Sequence, residues 1–308
     1  MHYVIGDVHG CFKELKLLLN KIESKDPDAI IYFVGDWVDR GDQVADVMQW
    51  VVDNITTTGK YRSVRGNHDQ EAMDWYNAYF LPWTREEHDP YDSLPETYYD
   101  FASVVDNCFN RDPEALRVFF DKVRSEMPYN RAVEITTAGG VTVTYRICHA
   151  WHSKDESRLF DTNLYERNYW GYYVDDEIIV HGHTPTVTES YRLRGRWDED
   201  RPGLIGYRHN DIDVDGGCCF HKGFPNYPCM LCGICLETLE EIYPYSIEDR
   251  LMEGAKHTVE KYMMAAMKDI PFEEKVQATY ENYIEAYGNK KPNSFRQELL
   301  ERLGLTNE

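Results

Sequence analysis

Three short strand-like runs, each leading into a glycine, recur within the first 70 residues. They are Tyr3–Ile5, Ala29–Val34 and Tyr61–Val64. Runs of this length, rich in Ile, Val and Phe, are typical of buried strands, and a glycine lets the chain turn sharply where the strand ends. Apolar residues at helical spacing predict helices over 15–22 and 44–52, between the runs. The alternation of strand and helix predicts βαβ units and a largely parallel sheet.

Residues 71–130 have a different pattern. Aromatic residues fall among acidic residues and prolines, and helix-like spacing is confined to 114–123. We interpret this part of the chain as a helical insertion that packs beside or over the site. Its aromatic side chains are expected to form the core of the insertion rather than a platform on which bases stack.

The pattern after residue 130 predicts a second group of strands. Alternation on both sides of Ala138–Gly140 predicts a hairpin whose second strand is Val141–Cys148. A buried strand is predicted at 177–180, and further strands are predicted at 211–215 and 235–239.

The chain beyond residue 245 is predicted to be helical. Ser246 is expected to cap a helix that is broken by Pro271, and a second helix extends to Gly288. Ser294 and Gln297 are predicted to form a capping box at the start of a third helix.

The composition indicates a globular protein with a strongly acidic surface. The 308 residues include 33 Lys and Arg against 54 Asp and Glu, which gives a net charge of −21. Because such a surface repels a phosphate backbone, we do not expect duplex nucleic acid as a partner. No apolar run is long enough to cross a membrane, and the N-terminus begins in a predicted strand rather than a secretory signal. We therefore expect a cytoplasmic protein whose eight cysteines are reduced.

Polar side chains that suit a metal follow the predicted strands directly. They are Asp7, His9, Asp36, Asn67, His149 and His183. Since ligands of open α/β sheets bind at the carboxyl ends of the strands, these side chains are expected to lie along one edge. Carboxylate, imidazole and amide ligands without thiolate suit Mn²⁺, Fe or Zn²⁺. A set of this size suggests two ions that share Asp36, roughly 3.5–4 Å apart.

Five sequence blocks carry a resemblance to a known family. The blocks are Gly6–Gly10, Gly35–Gly41, Gly66–Asp69, Cys148–Ala150 and Gly182–Pro185. Together they resemble the calcineurin-like metallophosphoesterases. More narrowly, they resemble the phosphoprotein phosphatase group that includes the bacteriophage lambda Ser/Thr phosphatase and the symmetrical diadenosine tetraphosphatases. The resemblance extends over about residues 1–240.

The resemblance implies roles for the metal ligands. Asp7 and His9 would bind the first metal, and Asp36 would bridge to the second. The second metal would be held by Asn67, His149 and His183. The ions are expected to be Mn²⁺, with Fe, Zn²⁺ or Ni²⁺ as alternatives. A metal-bound hydroxide would attack phosphorus in line.

The same resemblance implies residues that act on the substrate. His68 would be the general acid, with Asp39 orienting its ring. Arg40 and Arg65 would bind phosphate oxygens through their planar guanidinium groups. Arg167 occupies a position that resembles another phosphate-binding arginine, although a surface ion pair is an equal alternative there.

The fold implied by the family is a four-layer α/β/β/α arrangement, in which helices cover two central mixed sheets. We expect a metallophosphoesterase domain over residues 1–245, with a helical insertion at 71–130. A helical C-terminal extension would follow over 246–308.

The expected function is metal-dependent hydrolysis of a phosphoester. A phosphorylated protein is ranked first as substrate, and a symmetrical dinucleoside polyphosphate hydrolase is the alternative. A non-catalytic binding protein that keeps the fold is a third hypothesis, which the intact ligand set and His68 argue against. The oligomeric state is not predicted.

Some positions depart from the family pattern. Asp69 stands where glutamate is usual, and a glycine follows Asp215 where threonine is common. His181 precedes Gly182, so two histidines compete for one ligand position, and the sequence context favours His183. The cysteines within 218–235 invite a structural-metal hypothesis, but in a strand their side chains would alternate between faces, so buried thiols are favoured.

Overall fold

Two five-stranded sheets form the centre of the protein. The computed structural model describes residues 1–80, 113–150, 177–188, 201–263, 270–288 and 293–305. Within these ranges ten strands occur: β1 (His2–Ile5), β2 (Ile30–Phe33), β3 (Tyr61–Ser63), β4 (Asn130–Thr136), β5 (Thr142–Cys148), β6 (Glu177–His181), β7 (Gly206–Arg208), β8 (Asp211–Asp213), β9 (Gly233–Cys235) and β10 (Glu241–Ile242).

Seven α-helices accompany the strands in the described part of the chain. They are α1 (Phe12–Lys25), α2 (Val44–Asn54), α3 (Asn67–Trp75), α4 (Pro113–Glu126), α5 (Ile247–Thr258), α6 (Phe272–Gly288) and α7 (Ser294–Arg302). Single π-helical turns extend α3 over Tyr76–Phe80 and α5 over Val259–Met263. None of the described helices is long and apolar enough to span a membrane.

Both sheets mix parallel and antiparallel pairs. The first has the strand order β10-β9-β1-β2-β3, and β1, β2 and β3 run parallel, as the repeated strand–helix pattern predicts. The second has the order β4-β5-β6-β8-β7, and it contains the predicted antiparallel hairpin of β4 and β5. The expected α/β fold with two mixed sheets and covering helices is confirmed.

The alternation of side chains in β1 explains how the layers stack. Tyr3 and Ile5 belong to the core that the first sheet forms with α1, α2 and α4. Val4, between them, belongs to a second core that also contains Tyr145 and Val180 of the other sheet. Because successive side chains of a strand point to opposite faces, one buried strand serves both cores.

Two predictions of local structure are wrong. The strand expected at 235–239 is β9, which ends at Cys235, because the chain turns there and Leu239 adopts a positive φ of 53°. The capping box expected from Ser294 does not form, since the side chain of Asn293 accepts the hydrogen bond from the Arg296 amide instead. The predicted cap of α5 is confirmed, because Ser246 Oγ accepts from the Asp249 amide at 3.0 Å.

The helices after residue 245 pack directly against the sheets and α1. Leu251 of α5 and Tyr287 of α6 share a core cluster with Leu204 and Met230. Residues Leu299, Leu300 and Leu303, in and just after α7, join the core between the two sheets.

Of the insertion expected at 71–130, residues 81–112 lie outside the described residues.

A buried ion pair joins α5 to α1. The Arg250 guanidinium contacts the Glu14 carboxylate, and both side chains are less than 10% exposed. Arg250 Nε also donates to the Cys229 carbonyl at 2.9 Å, and Glu14 accepts from the Leu231 amide at 2.8 Å. The pair therefore fixes two helices and the segment that leads into β9.

We expect Arg250→Ala to lower the free energy of unfolding by about 3–5 kcal/mol, because it leaves the Glu14 carboxylate buried without its cation. The matched control is Lys25→Ala, which removes an ion pair with Glu240 in which both side chains are 46% exposed. That change should cost at most about 1 kcal/mol. Urea unfolding followed by circular dichroism measures both, and equal losses would contradict the assignment.

Candidate active site

The predicted ligands lie where the strands of both sheets end. Asp7 follows β1, Asp36 follows β2, and Asn67 begins α3 after β3. On the second sheet, His149 follows β5 and His183 follows β6. The carboxyl ends of the two sheets meet at one edge, so residues from distant parts of the chain come within contact distance.

The backbone at this edge is strained. Positive φ angles occur at His9 (40°), Asp36 (54°), Asp39 (69°), Arg40 (67°) and His183 (72°). Residues with a side chain rarely adopt this conformation, and where they do so the surrounding structure must hold them in place. Strained positions of this kind concentrate at functional sites.

Two glycines allow backbone to approach the carboxylates closely. A Cβ atom at Gly66 would lie 2.0 Å from Asp36 Oδ1, and one at Gly182 would lie 2.0 Å from Asp7 Oδ1. Any side chain at either position would displace a predicted metal ligand. This explains why glycine precedes the ligands Asn67 and His183.

The first group of side chains is His9, Asp36 and His68, whose nitrogen and carboxylate atoms lie within 4.8 Å of one another; of these, His9 and Asp36 are the candidate ligands and His68 is the predicted acid. His9 Nδ1 lies 2.7 Å from the Val38 carbonyl oxygen, so Nδ1 carries the proton and donates. The other nitrogen, Nε2, is then free of a proton and lies 3.4 Å from Asp36 Oδ2. A main-chain partner of this kind orients an imidazole ligand toward a metal.

The second group is Asp7, Asp36 and His149. His149 Nδ1 lies 2.9 Å from the Val34 carbonyl oxygen, which leaves Nε2 facing the site, 3.3 Å from Asp36 Oδ2. Asn67 Oδ1 lies 2.9 Å from His149 Nε2 and 2.8 Å from His183 Nδ1. Asp36 belongs to both groups, and its bridging role stays a prediction. Asp7, expected to share the first metal with His9, is grouped with His149 instead.

The contacts among these ligands fit a cation. In a neutral His149 ring that donates through Nδ1, Nε2 presents a lone pair to the Asn67 carbonyl oxygen. Two lone pairs 2.9 Å apart repel each other, so the contact requires either a proton on His149 Nε2 or a metal ion bound by both atoms. Asp7 Oδ1 is also buried without a hydrogen-bond partner among the described residues. Divalent metal ions satisfy such oxygen and imidazole ligands.

The two competing histidines have different surroundings. His183 contacts Asn67 Oδ1 and lies 3.2 Å from His149 Nε2, and its amide donates to Asp7 Oδ2 at 3.0 Å. His181 Nε2 instead lies 2.5 Å from Asp211 Oδ1, on the neighbouring strand β8. The geometry thus brings His183, and not His181, to the other ligands.

Burial and mutual repulsion shift the pKa values of the carboxylates among the candidate ligands. Desolvation, followed by the charges of Asp215 and Asp36, raises the pKa of Asp7 well above its usual range. Burial also opposes ionisation of Asp36, but positive charge on His149 and a hydrogen bond from its ring outweigh burial and hold the Asp36 pKa well below its usual range. Burial lowers the pKa of His9 to about 3, so its ring is neutral at pH 7 and available as a ligand.

The predicted acid, His68, is held by the predicted orienting carboxylate. His68 Nδ1 donates to Asp39 Oδ2 at 2.5 Å. Burial by itself lowers the pKa of His68, but the hydrogen bond to Asp39 and the charges of Asp36 and Asp39 raise it to about 9. A protonated imidazole with Nε2 toward the site can donate a proton.

The three predicted phosphate-binding arginines differ in position. Arg40 Nη2 lies 3.2 Å from His68 Nε2, and its guanidinium stacks over the Phe220 ring at 5.1 Å. Arg65 is buried and turned toward the end of α4, where it donates to the Val123 carbonyl at 3.1 Å and to Gln70 Oε1 at 2.8 Å. In this conformation Arg65 is bound by protein groups, and its phosphate role stays a prediction. Arg167 lies outside the described residues.

Two buried carboxylates beside the candidate ligands, Asp69 and Asp215, have surroundings that the sequence did not predict. Asp69 is fully buried and accepts hydrogen bonds from the amides of Asp36, Trp37 and Gly66, at 2.9–3.0 Å. It therefore holds the strained turn that carries the bridging residue. The pKa of Asp215 is raised to about 6 by burial, with a contribution from the Asp36 charge, and its Oδ2 has no hydrogen-bond partner among the described residues. In the sequence, the feature that points to both residues is their position beside the motifs of the family resemblance.

The cysteine-rich segment does not converge on one point. Cys232 belongs to the core between the sheets, whereas Cys235 belongs to the core beneath α1. Cys218 Sγ instead donates to the Asp7 carbonyl at 3.3 Å. These thiols therefore pack in separate environments, as buried small side chains do.

Comparison with known proteins agrees with the geometry. The family model of the calcineurin-like phosphoesterases matches residues 3–214. The symmetrical bis(5'-nucleosyl)-tetraphosphatase of Hamiltonella defensa is 42% identical over 73 residues, which cover 23% of this chain and 25% of that protein. The same-named protein of Buchnera aphidicola subsp. Schizaphis graminum is 31% identical over 106 residues, 34% of each chain. This chain thus matches about a quarter to a third of the length of these curated relatives.

Matches among solved structures are more distant in sequence. A metallophosphoesterase from Sphaerobacter thermophilus is 15% identical with a TM-score of 0.42, and the alignment covers 90% of this chain and 98% of that one. The family match spans more than half of the sequence and includes all five blocks that carry the candidate ligands. The chain therefore belongs to the calcineurin-like phosphoesterase family.

Proposed function

We propose that this protein hydrolyses phosphoric esters with the help of two divalent metal ions. The observation that carries the proposal is the position of Asp36, whose Oδ2 lies 3.4 Å from His9 Nε2 and 3.3 Å from His149 Nε2, with Asp7 close to the second pair. Two ions held on a common carboxylate are suited to stabilising both the attacking and the leaving oxygen of a displacement at phosphorus.

The charge of the site supports more than one cation. Asp7, Asp36 and Asp215 are each 2% exposed, and they interact electrostatically with one another. Holding several carboxylates together away from water costs several kcal/mol for each ion unless cations compensate them. His68 acts electrostatically on Asp36 and Arg40 on Asp215, and bound cations would supply the further positive charge that three buried carboxylates require.

Bound metal ions would supply Lewis-acid polarisation of the phosphoryl group and lower the pKa of a bound water. Side chains of the protein would bind the phosphate group and supply the proton. Arg40 would bind a phosphate oxygen, and its Nη2 lies 3.2 Å from His68 Nε2, so the bound phosphate would lie next to the proton donor. His68 would then donate the Nε2 proton to the leaving oxygen, while Asp39 keeps the ring oriented and stabilises its positive charge.

For the substrate, we propose a dinucleoside polyphosphate, with a phosphorylated protein as the second candidate. Support for the first is the name shared by the curated relatives, which are symmetrical bis(5'-nucleosyl)-tetraphosphatases. Support for the second is the resemblance of the sequence blocks to the lambda-type Ser/Thr phosphatases. The sequence alone favoured the reverse order.

Metal-stripped protein should regain phosphoesterase activity when Mn²⁺ is added. Hydrolysis of p-nitrophenyl phosphate, a phosphoserine peptide and diadenosine tetraphosphate measures the activity and the preference together. We expect turnover of all three to depend on the metal, with the highest kcat/KM for diadenosine tetraphosphate. A higher kcat/KM for the peptide would favour the second candidate, and the absence of metal-dependent turnover on every substrate would contradict an esterase function.

Replacing the proton donor separates chemistry from metal binding. We expect His68→Asn to lower kcat by about 10²- to 10⁴-fold, the usual contribution of a general acid, while Mn²⁺ affinity measured by titration calorimetry stays within a few-fold. His209→Asn, at an exposed histidine in the β7–β8 turn, is the matched control and should leave kcat unchanged. An unaltered kcat in His68→Asn would exclude the proposed role.

A further inference from the structure

The strand β8 brings a further carboxylate to the edge that carries the candidate ligands. Asp215 lies two residues beyond β8, which pairs in parallel with β6 so that His181 stands opposite Asp213. His183 and Asp215 therefore occupy corresponding positions, each two residues beyond the same pair. Because neighbouring parallel strands end at the same edge of a sheet, the register places Asp215 next to the segment of a candidate ligand.

The segment around Asp215 is also packed against the end of β1 in the other sheet. A Cβ atom at Gly6 would lie 2.1 Å from the Val214 carbonyl oxygen and 3.4 Å from the Asp215 amide nitrogen. Backbone therefore packs on backbone directly before Asp7. Further along the same segment, Cys218 Sγ donates to the Asp7 carbonyl at 3.3 Å. The chain is thus held against the surroundings of Asp7 on both sides of the Asp215 carboxylate.

The carboxylate of Asp215 is buried and only half satisfied. The residue is 2% exposed, and its Oδ1 accepts from the Gly217 amide at 2.9 Å. Its Oδ2 is buried without a hydrogen-bond partner among the described residues, and the same is true of Asp7 Oδ1. Since divalent cations take carboxylate oxygens as ligands, two such oxygens on segments that pack together suit a cation.

The charges of these two carboxylates act on each other. Burial raises the pKa of Asp7 well above its usual range, and among the neighbouring charges that of Asp215 contributes more than that of Asp36. Burial and the Asp36 charge raise the pKa of Asp215 to about 6, although His149 and Arg40 oppose the rise. A cation beside Asp7 would therefore relieve a repulsion in which Asp215 is the larger partner.

A purely structural role accounts for only half of this side chain. Asp215 holds a turn through its bond to the Gly217 amide, and Gly217 has a positive φ of 70°. An asparagine would form the same turn, because its amide oxygen accepts equally well, and it would add no repulsion toward Asp7. The negative charge at this position therefore serves a purpose other than the turn.

The carboxylate acts beside the direct ligands rather than in place of one. Asp215 is absent from both groups of described side chains whose ligand atoms lie within 4.8 Å of one another. Residues that surround metal ligands in this way change the affinity of the site for its metal.

We propose that Asp215 is a further acidic residue of the metal centre, which raises the affinity of the protein for the divalent cation held by Asp7. It does so by adding a negative charge and an unpartnered oxygen beside that ligand. This inference rests on the proposed function, since it concerns the same two-metal site.

Titration of metal-stripped, full-length protein with Mn²⁺, followed by calorimetry, tests the proposal. Asp215→Asn keeps an oxygen that accepts from the Gly217 amide and removes the charge. We expect its Mn²⁺ affinity to fall by about 10- to 100-fold, the usual effect of changing a residue that supports metal ligands. The matched control is Asp28→Asn, because this exposed carboxylate precedes β2 and lies at the opposite end of that strand from Asp36. The control removes the same charge and should bind Mn²⁺ as wild type does.

Thermal unfolding without metal separates this role from a structural one. The midpoint of Asp215→Asn should equal that of wild type or exceed it, because the loss of the charge relieves the repulsion with Asp7. A carboxylate that only holds its turn would instead give a lower midpoint together with an unchanged Mn²⁺ affinity. That result would overturn the proposal.

The calorimetry also distinguishes this proposal from the proposed function. Equal Mn²⁺ affinities of wild type and Asp215→Asn would overturn the role of Asp215 and leave the metal centre intact. An equal fall in Asp215→Asn and Asp28→Asn would indicate a general effect of net charge and would likewise overturn that role. The absence of Mn²⁺ binding to wild type would contradict the metal centre itself and the role of Asp215 with it. Neither measurement uses a substrate, so both are independent of which phosphoester the protein hydrolyses.

Discussion

The buried carboxylate of Asp36 is the constraint on which the rest of the site depends. Its Oδ1 accepts from the His68 amide at 2.9 Å, and its Oδ2 faces both His9 and His149 at 3.3–3.4 Å. A charge at 2% exposure needs compensation from every side. The strand ends of two sheets, the helix α3 and two imidazoles are all arranged around this single group.

The strain at the site follows from the same constraint. To point the Asp36 carboxylate between the sheets, the chain must turn immediately after β2, and Asp36 adopts a φ of 54°. Asp69 stabilises this conformation, because its carboxylate accepts from the Asp36, Trp37 and Gly66 amides at once. Here aspartate, in place of the usual glutamate, reaches all three amides, so the departure from the family pattern is accommodated locally.

The sequence predicted that the candidate ligands lie close together because each one directly follows an apolar strand, and strand ends of one sheet meet at one edge. It also predicted the His68–Asp39 pair through the family resemblance. It did not predict the direction of Arg65, since that depends on contacts with Val123, more than 50 residues further along the chain. The strand expected at 235–239 is wrong for a similar reason. After Cys235 the chain turns and returns so that β10 pairs with β9, and this pairing outweighs the local β propensity.

The C-terminal helices belong to the surroundings of the site rather than to a distant appendage. Arg250 of α5 holds Glu14, and Glu14 accepts from Leu231, just before β9. The Cys232 carbonyl then accepts from the Gly6 amide at 3.0 Å, one residue before the candidate ligand Asp7. The interactions that attach α5 therefore also fix the end of the strand β1, which carries the candidate ligand Asp7.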